Sequence, residues 1–278
     1  MSLEEDQQKA TTLLHKAIEY GINYFDTADL YQQGRNEEML GVALKEKRKD
    51  IIIATKVGNQ WKPDGSGWDW NPRKEYIVAA VEKSLQRLQT DYIDLYQLHG
   101  GTIEDPIDDT IEAFELLQQQ GKIRYYGISS IRPNVIREYV KRSNIVSVMM
   151  QYSLADRRPE EDCLPLLLEN NIGVLARGSL AKGILSGKPT TAFLNYSKEE
   201  MQQAADAVKS ISSNQLTAAQ TAIRFVLNNL AISSAVVGMR TMEQLLDAVG
   251  ASGSSLLSSN EWNKLAGTLP ANFYDSHR

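Results

Sequence analysis

The chain alternates between short apolar runs rich in β-branched residues and longer segments with helical spacing. A strand covered on both faces has no polar alternation, so it reads as a continuous hydrophobic stretch. The pattern therefore predicts seven buried strands. They are Ile22–Phe25, Ile51–Thr55, Tyr92–Leu98, Ile123–Ile128, Val146–Met150, Gly173–Ala176 and Ala235–Val237.

The segments between these runs have the pattern of amphipathic helices. In the clearest of them, Ile77–Leu88, apolar or small residues recur three and four positions apart, which places them on one face of a helix. Strand and helix thus alternate along the chain, as in repeated βα units. Such units form either an open doubly wound sheet or a closed (β/α)8 TIM barrel, and the number of units favours the barrel.

The first predicted helix, Asp6–Tyr20, precedes the first predicted strand. A helix in this position normally crosses over from an earlier strand, and residues 1–5 are too few to supply one. We therefore expect the first barrel strand to lie upstream of residue 1. No linker or shift in composition interrupts the rest, so we predict that residues 1–278 form a single, N-terminally incomplete barrel domain.

Composition narrows the class of protein. The formal net charge of -5 has the wrong sign for a protein that binds nucleic-acid phosphates, so no nucleic-acid partner is expected. Cys163 is the only cysteine, which excludes an intrachain disulfide and a zinc–cysteine cluster and fits a reducing compartment. No apolar run is long enough to span a membrane. We therefore expect a cytoplasmic protein without a membrane partner.

The ends of the predicted strands carry the candidate chemistry. In a (β/α)8 barrel, functional residues cluster at the carboxyl ends of the strands. Asp26, Tyr31, Lys56 and His99 all lie at or just after such ends. An ammonium group beside a phenol stabilises the phenolate, and a carboxylate keeps the ammonium charged. A tyrosine in that setting can act as a general acid near neutral pH.

Segments around these residues resemble the aldo-keto reductase family. The likeness extends from about Thr11 to Val249, and the matching segments follow one another in the family's order. The segments that carry it are Gly21–Tyr31, Ala54–Lys56, Asp91–His99 and Gly121–Ser129.

The resemblance implies an enzyme that reduces an aldehyde or ketone to an alcohol. By this likeness Tyr31 donates a proton to the substrate carbonyl, while Lys56 and Asp26 tune it. His99 would orient the carbonyl or relay a proton. The hydride would come from a bound nicotinamide dinucleotide, with no metal ion involved.

The resemblance also implies a cofactor site at other strand ends. Ser129, Ser130 and Gln151 fall where family members hold the nicotinamide carboxamide, although Ser130 replaces the more usual Asn. Arg177 occupies a position that is aromatic in many relatives, and it can either stack through its guanidinium plane or pair with phosphate. Gly178 and Leu180 would border the pyrophosphate.

A phosphate site is indicated after the last predicted strand. Gly238, Met239 and Arg240 follow this strand, and Thr241 with Gln244 form a capping-box pattern. The free N–H groups and the dipole of the helix that opens there favour an anion, and an arginine beside them can grip a phosphate. The arrangement resembles the family's 2′-phosphate site and predicts NADPH rather than NADH.

Other interpretations remain open at this point. Some family members bind the dinucleotide as regulatory subunits with little turnover, and an incomplete barrel could be inactive. A metal-dependent hydrolase is disfavoured, since only His99 among three histidines lies at a strand end. The aromatic loop Asn59–Trp70 either lines a substrate pocket or folds back as packing. The physiological substrate and the oligomeric state cannot be read from this sequence.

Overall fold

A computed structural model of the chain describes residues 6–213, 216–253 and 255–278. Clustering of Cα positions divides the chain into two compact units. The first comprises Met1–Val148 and Gly238–Thr241, and the second comprises Met149–Val237 and Met242–Arg278. The predicted single domain is not tested by this division and stays a prediction. The strand expected upstream of residue 1 also stays a prediction, because residues 1–5 lie outside the described part.

The first unit is built on a parallel sheet with the strand order β1-β2-β5-β6. Strand β7 begins in this unit at Ser147 and continues into the second. The elements are α1 Gln7–Glu19, β1 Tyr24–Asp26, α2 Arg35–Leu44, β2 Ile52–Val57, β3 Asn59–Trp61, β4 Trp68–Trp70, α3 Lys74–Leu88, β5 Ile93–Leu98, α4 Ile107–Gln119, β6 Ile123–Ser129, α5 Pro133–Arg142 and β7 Ser147–Gln151.

The second unit continues the alternation of strand and helix in the strand order β7-β8-β9. The helices α7, α8 and α10 of this unit begin at side-chain caps, and the predicted capping box of Ser258 and Glu261 is confirmed. The elements are α6 Cys163–Glu169, β8 Gly173–Arg177, α7 Lys198–Ile211, α8 Ala218–Leu227, β9 Ile232–Val236, α9 Met242–Ser252 and α10 Ser259–Ala266.

The first helix shows why the pattern predicted it correctly. The Asp6 carboxylate accepts hydrogen bonds from the backbone N–H groups of Gln8 and Lys9 and so caps α1. Its apolar residues recur at helical spacing and are buried, which gives the helix one packed face. They are Ala10, Leu13, Leu14 and Ala17.

All seven predicted strands are present, and the last is displaced towards its N-terminal side. We predicted Ala235–Val237, whereas β9 covers Ile232–Val236. Its first half contains Ser233 and Ser234, and these polar residues hid the strand from a search for apolar runs.

The sequence interpretation was wrong about the secondary structure of the aromatic loop. Within it, β3 and β4 form an antiparallel hairpin in which Asn59 pairs with Trp70 and Trp61 with Trp68. Each strand has only three residues, too short for alternation to be visible beside the Gly- and Pro-rich turn.

The sheet of the first unit has two faces of different character. On one face Tyr96 packs edge-on against Phe114 of α4, and Thr55 donates to Glu37 of α2. We call this the helix face. Lys56 and Gln97 are paired in register one position further along their strands, so their side chains point the other way. We call the latter the site face, because the candidate catalytic residues lie on it.

Candidate active site

A buried ion pair lies at the carboxyl ends of β1 and β2. Asp26 pairs in register with Ala54, two residues before Lys56, so both charged side chains leave the sheet on the site face. The Lys56 Nζ lies 2.5 Å from Asp26 Oδ1 and donates to the Thr27 carbonyl at 2.8 Å. Lys56 is fully buried. A buried ammonium is stable only when it is paired, and this carboxylate provides the partner.

The segment after β1 folds back and brings Tyr31 to this pair. Backbone hydrogen bonds from Asp29 N to Lys56 O and from Tyr31 N to Ala28 O hold the turn. The Lys56 Nζ lies 5.3 Å from the centroid of the Tyr31 ring. The structure therefore places an ammonium group beside a phenol, as the sequence predicted.

His99 completes the group from the end of β5. Its backbone N–H donates to the Val57 carbonyl at 2.7 Å, which ties it to β2. The imidazole and the Tyr31 ring meet edge to face, with centroids 5.7 Å apart and an interplanar angle of 84°. Asp26, Tyr31, Lys56 and His99 thus lie together within the first unit.

The hairpin β3–β4 is fastened to both sides of this group. The Trp61 indole N–H donates to the carbonyl of Leu30, the residue before Tyr31. The Asn59 amide donates to the His99 carbonyl at 3.2 Å. The hairpin therefore links the tyrosine segment to the histidine segment.

Trp70 and Trp68 differ in their roles within the hairpin. Trp70 donates to the Asp105 carboxylate, and its ring covers Gly58 so closely that a Cβ there would lie 2.6 Å from it. Trp70 therefore serves packing. Trp68 is half exposed, at 49%, and it lies on the same hairpin face as Trp61, its paired residue. Sequence analysis left two roles open for this loop, lining a substrate pocket or packing. Trp70 has the packing role, whereas Trp68 faces outward.

From the sequence, Asp29 is interpreted as a turn former, but the structure shows a buried carboxyl group. It is buried, its Oδ2 accepts a hydrogen bond from the Tyr76 hydroxyl, and its Oδ1 has no partner in the described part of the chain. Burial, and next the nearby Glu37 carboxylate, raise the pKa of Asp29 to about 7. No local signal distinguishes this Asp from an ordinary turn residue, because burial is decided by α2 and α3.

Ser129 and Ser130 lie at the end of β6, in the first unit. Ser129 is its last residue and is half-buried. Ser130 is buried, and its hydroxyl accepts a hydrogen bond from the Arg132 backbone N–H at 3.2 Å. This bond holds the turn that leads into α5.

In the second unit, Gln151 and Arg177 end neighbouring strands and contact each other. The Arg177 Nη1 donates to Gln151 Oε1 at 3.0 Å, and the Gln151 Nε2 donates to buried Asp156 at 2.8 Å. Gly178 follows with a φ of +77°, a left-handed conformation that glycine adopts without steric cost. Leu180 is half-buried and precedes a short 3₁₀ turn.

Gly238, Met239 and Arg240 follow β9, and α9 begins at Met242 as predicted. Gly238 and Arg240 are exposed, and Met239 is half-buried. Gln244 is exposed in the first turn of α9, a helix of 11 residues in the second unit. The positive end of the helix dipole, at the start of a helix, favours an anion.

Two further findings concern the described residues as a whole. In residues 6–213, 216–253 and 255–278, the helices are all too short or too polar to cross a lipid bilayer. Across the same ranges, no group of three or more His, Cys, Asp or Glu side chains is arranged to hold a metal ion.

Comparison with known proteins defines the class. A sequence profile of the Aldo/keto reductase family matches residues 2–269. The fold is also that of a solved family member. The structure superposes on the holo form of aldo-keto reductase AKR11C1 from Bacillus halodurans with a TM-score of 0.93 and 48% identity, covering 100% of this chain and 92% of that one. The chain belongs to the aldo-keto reductase family and has its α/β, (β/α)8-barrel fold class.

Two curated relatives illustrate the range of the family. The uncharacterized oxidoreductase YqkF of Bacillus subtilis (strain 168) is 52% identical over 287 residues, which cover 100% of this chain and 93% of the relative. The NADH-specific methylglyoxal reductase of Escherichia coli (strain K12) is 30% identical over 271 residues, which cover 88% of this chain and 83% of the relative. Aldo-keto reductases are oxidoreductases that act on small-molecule carbonyl compounds with nicotinamide cofactors. The choice between NADPH and NADH varies among relatives.

Proposed function

We propose that this protein reduces an aldehyde or ketone to the alcohol with NADPH, and that Tyr31 is the general acid. One observation carries the proposal. Lys56 is fully buried, is paired with Asp26 at 2.5 Å, and lies 5.3 Å from the Tyr31 ring. A buried ammonium beside a phenol serves acid catalysis, because it stabilises the phenolate that remains after proton donation.

Each residue has a distinct task in this mechanism. The Tyr31 hydroxyl donates its proton to the carbonyl oxygen of the substrate as that oxygen gains negative charge. Lys56 stabilises the resulting phenolate, and Asp26 holds Lys56 charged and in place. His99, edge-on to Tyr31, orients the carbonyl oxygen or relays the proton. A bound nicotinamide dinucleotide would supply the hydride.

The proposed cofactor residues are those that the family resemblance implies. We assign Ser129, Ser130 and Gln151 to the nicotinamide carboxamide. The Gln151 amide is already ordered by Arg177 and Asp156, so it is oriented before a ligand arrives. Arg177 pairs with this amide, which favours a positioning role over stacking. Gly178 and Leu180 are assigned to the pyrophosphate, where a glycine without a Cβ lets the backbone approach a ligand closely.

The preference for NADPH rests on the segment before α9. Gly238, Met239 and Arg240 precede this helix in the chain, and Gln244 lies in its first turn. A helix start and an arginine suit a 2′-phosphate. Replacing Arg240 with Leu should weaken NADPH binding by about tenfold or more, while NADH binding changes little. Equal binding of NADPH and NADH by the unaltered protein would remove this role.

We also propose a cytoplasmic location. The single cysteine of the chain, Cys163, is buried and free, which fits a reducing compartment.

The test of the reaction is Tyr31→Phe. We expect carbonyl reduction, followed as NADPH oxidation with 4-nitrobenzaldehyde and other aldehydes, to fall by about 1,000-fold. NADPH binding, followed by its fluorescence, should be retained because the ring remains. Near-normal turnover in the variant would contradict the assignment of Tyr31. If the unaltered protein binds NADPH but bound NADPH is not oxidised in a single turnover, a cofactor-sensing function replaces the enzymatic one.

A further inference from the structure

Gln97 is a buried amide that the proposed mechanism does not use. Its residue is 0% exposed, and neither its Oε1 nor its Nε2 has a hydrogen-bond partner among the described residues. A buried polar group without a hydrogen-bond partner lowers the stability of the folded state. An apolar side chain of similar shape would avoid this cost, so a polar residue here requires an explanation.

The position of Gln97 in the sheet places it beside the catalytic lysine. Gln97 of β5 is paired in register with Lys56 of β2 and with Gly127 of β6. Register partners on parallel strands point to the same face, so the amide shares the site face with Lys56. Gly127 contributes no side chain, and a Cβ there would come within 2.4 Å of the Ser147 carbonyl. Gln97 is therefore the polar side chain next to Lys56 in this row.

Two polar atoms of β1 on the same face also lack partners within the described ranges. They are the second carboxylate oxygen of Asp26, Oδ2, and the hydroxyl of Tyr24. Tyr24 and Asp26 lie two residues apart on β1 and so share the site face. The burial of Tyr24 and the charge of Asp26 raise the pKa of the Tyr24 hydroxyl, so it remains a donor. The titratable groups around this region are Tyr24, Asp26, Tyr31, Lys56 and His99.

The unpaired atoms are chemically complementary. The Asp26 oxygen accepts, the Tyr24 hydroxyl donates, and the Gln97 amide does both. A buried water needs two to four such partners. A water held by Gln97 can donate to Asp26 Oδ2 while Asp26 Oδ1 accepts from Lys56.

We propose that Gln97 is a positioning residue of the active site, holding an internal water that fixes the Asp26 carboxylate and, through it, Lys56 beside Tyr31. This inference rests on the proposed function. Gln97 need not touch the substrate: it acts on the orientation of the ion pair. The cost of burying its amide is then offset by the order that it imposes on that pair.

The test compares Gln97→Leu and Gln97→Met with Tyr96→Phe. Tyr96 is the preceding residue on β5, is also fully buried, and its hydroxyl also lacks a partner in the described part of the chain, but it lies on the helix face. We expect both Gln97 variants to lower kcat about tenfold, through misplacement of the ion pair. The KM and the NADPH dissociation constant should stay within about twofold. The pH profile of kcat should also shift. Tyr96→Phe should change none of these.

Thermal stability separates this role from simple packing. Leu and Met keep most of the buried volume of Gln97, and the amide that they replace would bond only to an internal water, so the Tm of both variants should stay close to that of Tyr96→Phe. The inference fails if the Gln97 variants keep the kcat and pH profile of the unaltered enzyme. It also fails if kcat falls only together with Tm, because that outcome indicates a packing role. An unaltered protein that reduces no carbonyl compound would instead refute the proposed function, and the role of Gln97 with it.

Discussion

Two ion pairs in the first unit, each with a buried carboxylate, have nearly the same length and very different surroundings. Lys56 and Asp26 are 2.5 Å apart on the site face, and Arg87 and Glu37 are 2.6 Å apart on the side of the helices. Both Glu37 oxygens are used, one by Arg87 and one by the Thr55 hydroxyl. In the other pair, Asp26 Oδ2 has no partner among the described residues, and the lysine lies beside the Tyr31 ring.

A short ion pair with a buried carboxylate therefore does not by itself indicate catalysis. The Arg87–Glu37 pair joins α2 to α3 and is saturated within the protein. The Lys56–Asp26 pair retains an unused oxygen and faces a phenol. Unused hydrogen-bonding capacity next to a reactive group, rather than the pair itself, distinguishes the candidate site. Matched substitutions in the two pairs can therefore separate chemistry from stability.

Lys56→Met should have the largest effect. It removes the charge that stabilises the Tyr31 phenolate, so kcat should fall by about 1,000-fold. It also leaves the buried Asp26 carboxylate unpaired, so the free energy of unfolding should fall as well. Turnover per folded molecule and urea denaturation measure the two losses separately. Retention of a substantial kcat would show that Lys56 is only structural.

Arg87→Met makes the same change of residue type in the other pair. The free energy of unfolding should fall by about 4 kcal/mol, because Glu37 is left charged and fully buried. The kcat of the folded fraction should stay within about threefold, since Arg87 does not face the phenol. A loss of kcat comparable to that of Lys56→Met would abolish the distinction between the two pairs.

Asp29→Asn should change how the free energy of unfolding depends on pH. The pKa of Asp29 is about 7 in the folded protein, against about 3.9 when unfolded, because burial and the Glu37 carboxylate disfavour its charge. The folded state therefore keeps a proton that the unfolded state releases. Its contribution to stability is full below about pH 4 and is lost as the pH rises to about 7.

Between about pH 5 and pH 7, this group should lower the free energy of unfolding by about 2 kcal/mol. The Asn variant should lack that slope, and denaturation at several pH values measures it. The charged and titratable groups facing Asp29 are Glu37, Arg87, Tyr76 and Tyr96. Asp50→Asn, at an exposed carboxyl, is the control and should keep the slope. An unchanged slope in Asp29→Asn would assign it to another group.

The sequence predicted most of the strands well because each contains an apolar run bounded by turn residues, and it misplaced β9, whose first half contains Ser233 and Ser234. It also placed Asp26, Tyr31, Lys56 and His99 at strand ends, and these residues meet in the first unit. It failed at the hairpin, where three-residue strands carry no periodic signal. Whether a tryptophan packs or projects was likewise unreadable, because this depends on neighbours such as Gly58 that lie outside its own strand.

The amino-acid sequence alone was enough to predict the alternation of strand and helix. It was also enough to identify the charged and polar residues at the strand ends. Periodicity and residue type are local properties, so the order of the residues carries them. The residues that each of these side chains contacts could be identified only in the folded structure. The pairing of Gln97 with Lys56, the saturation of Glu37 and the burial of Asp29 depend on strand register and on helices distant in the chain. Hydrogen bonds and charge interactions require proximity in space, and no local pattern specifies which groups will share it.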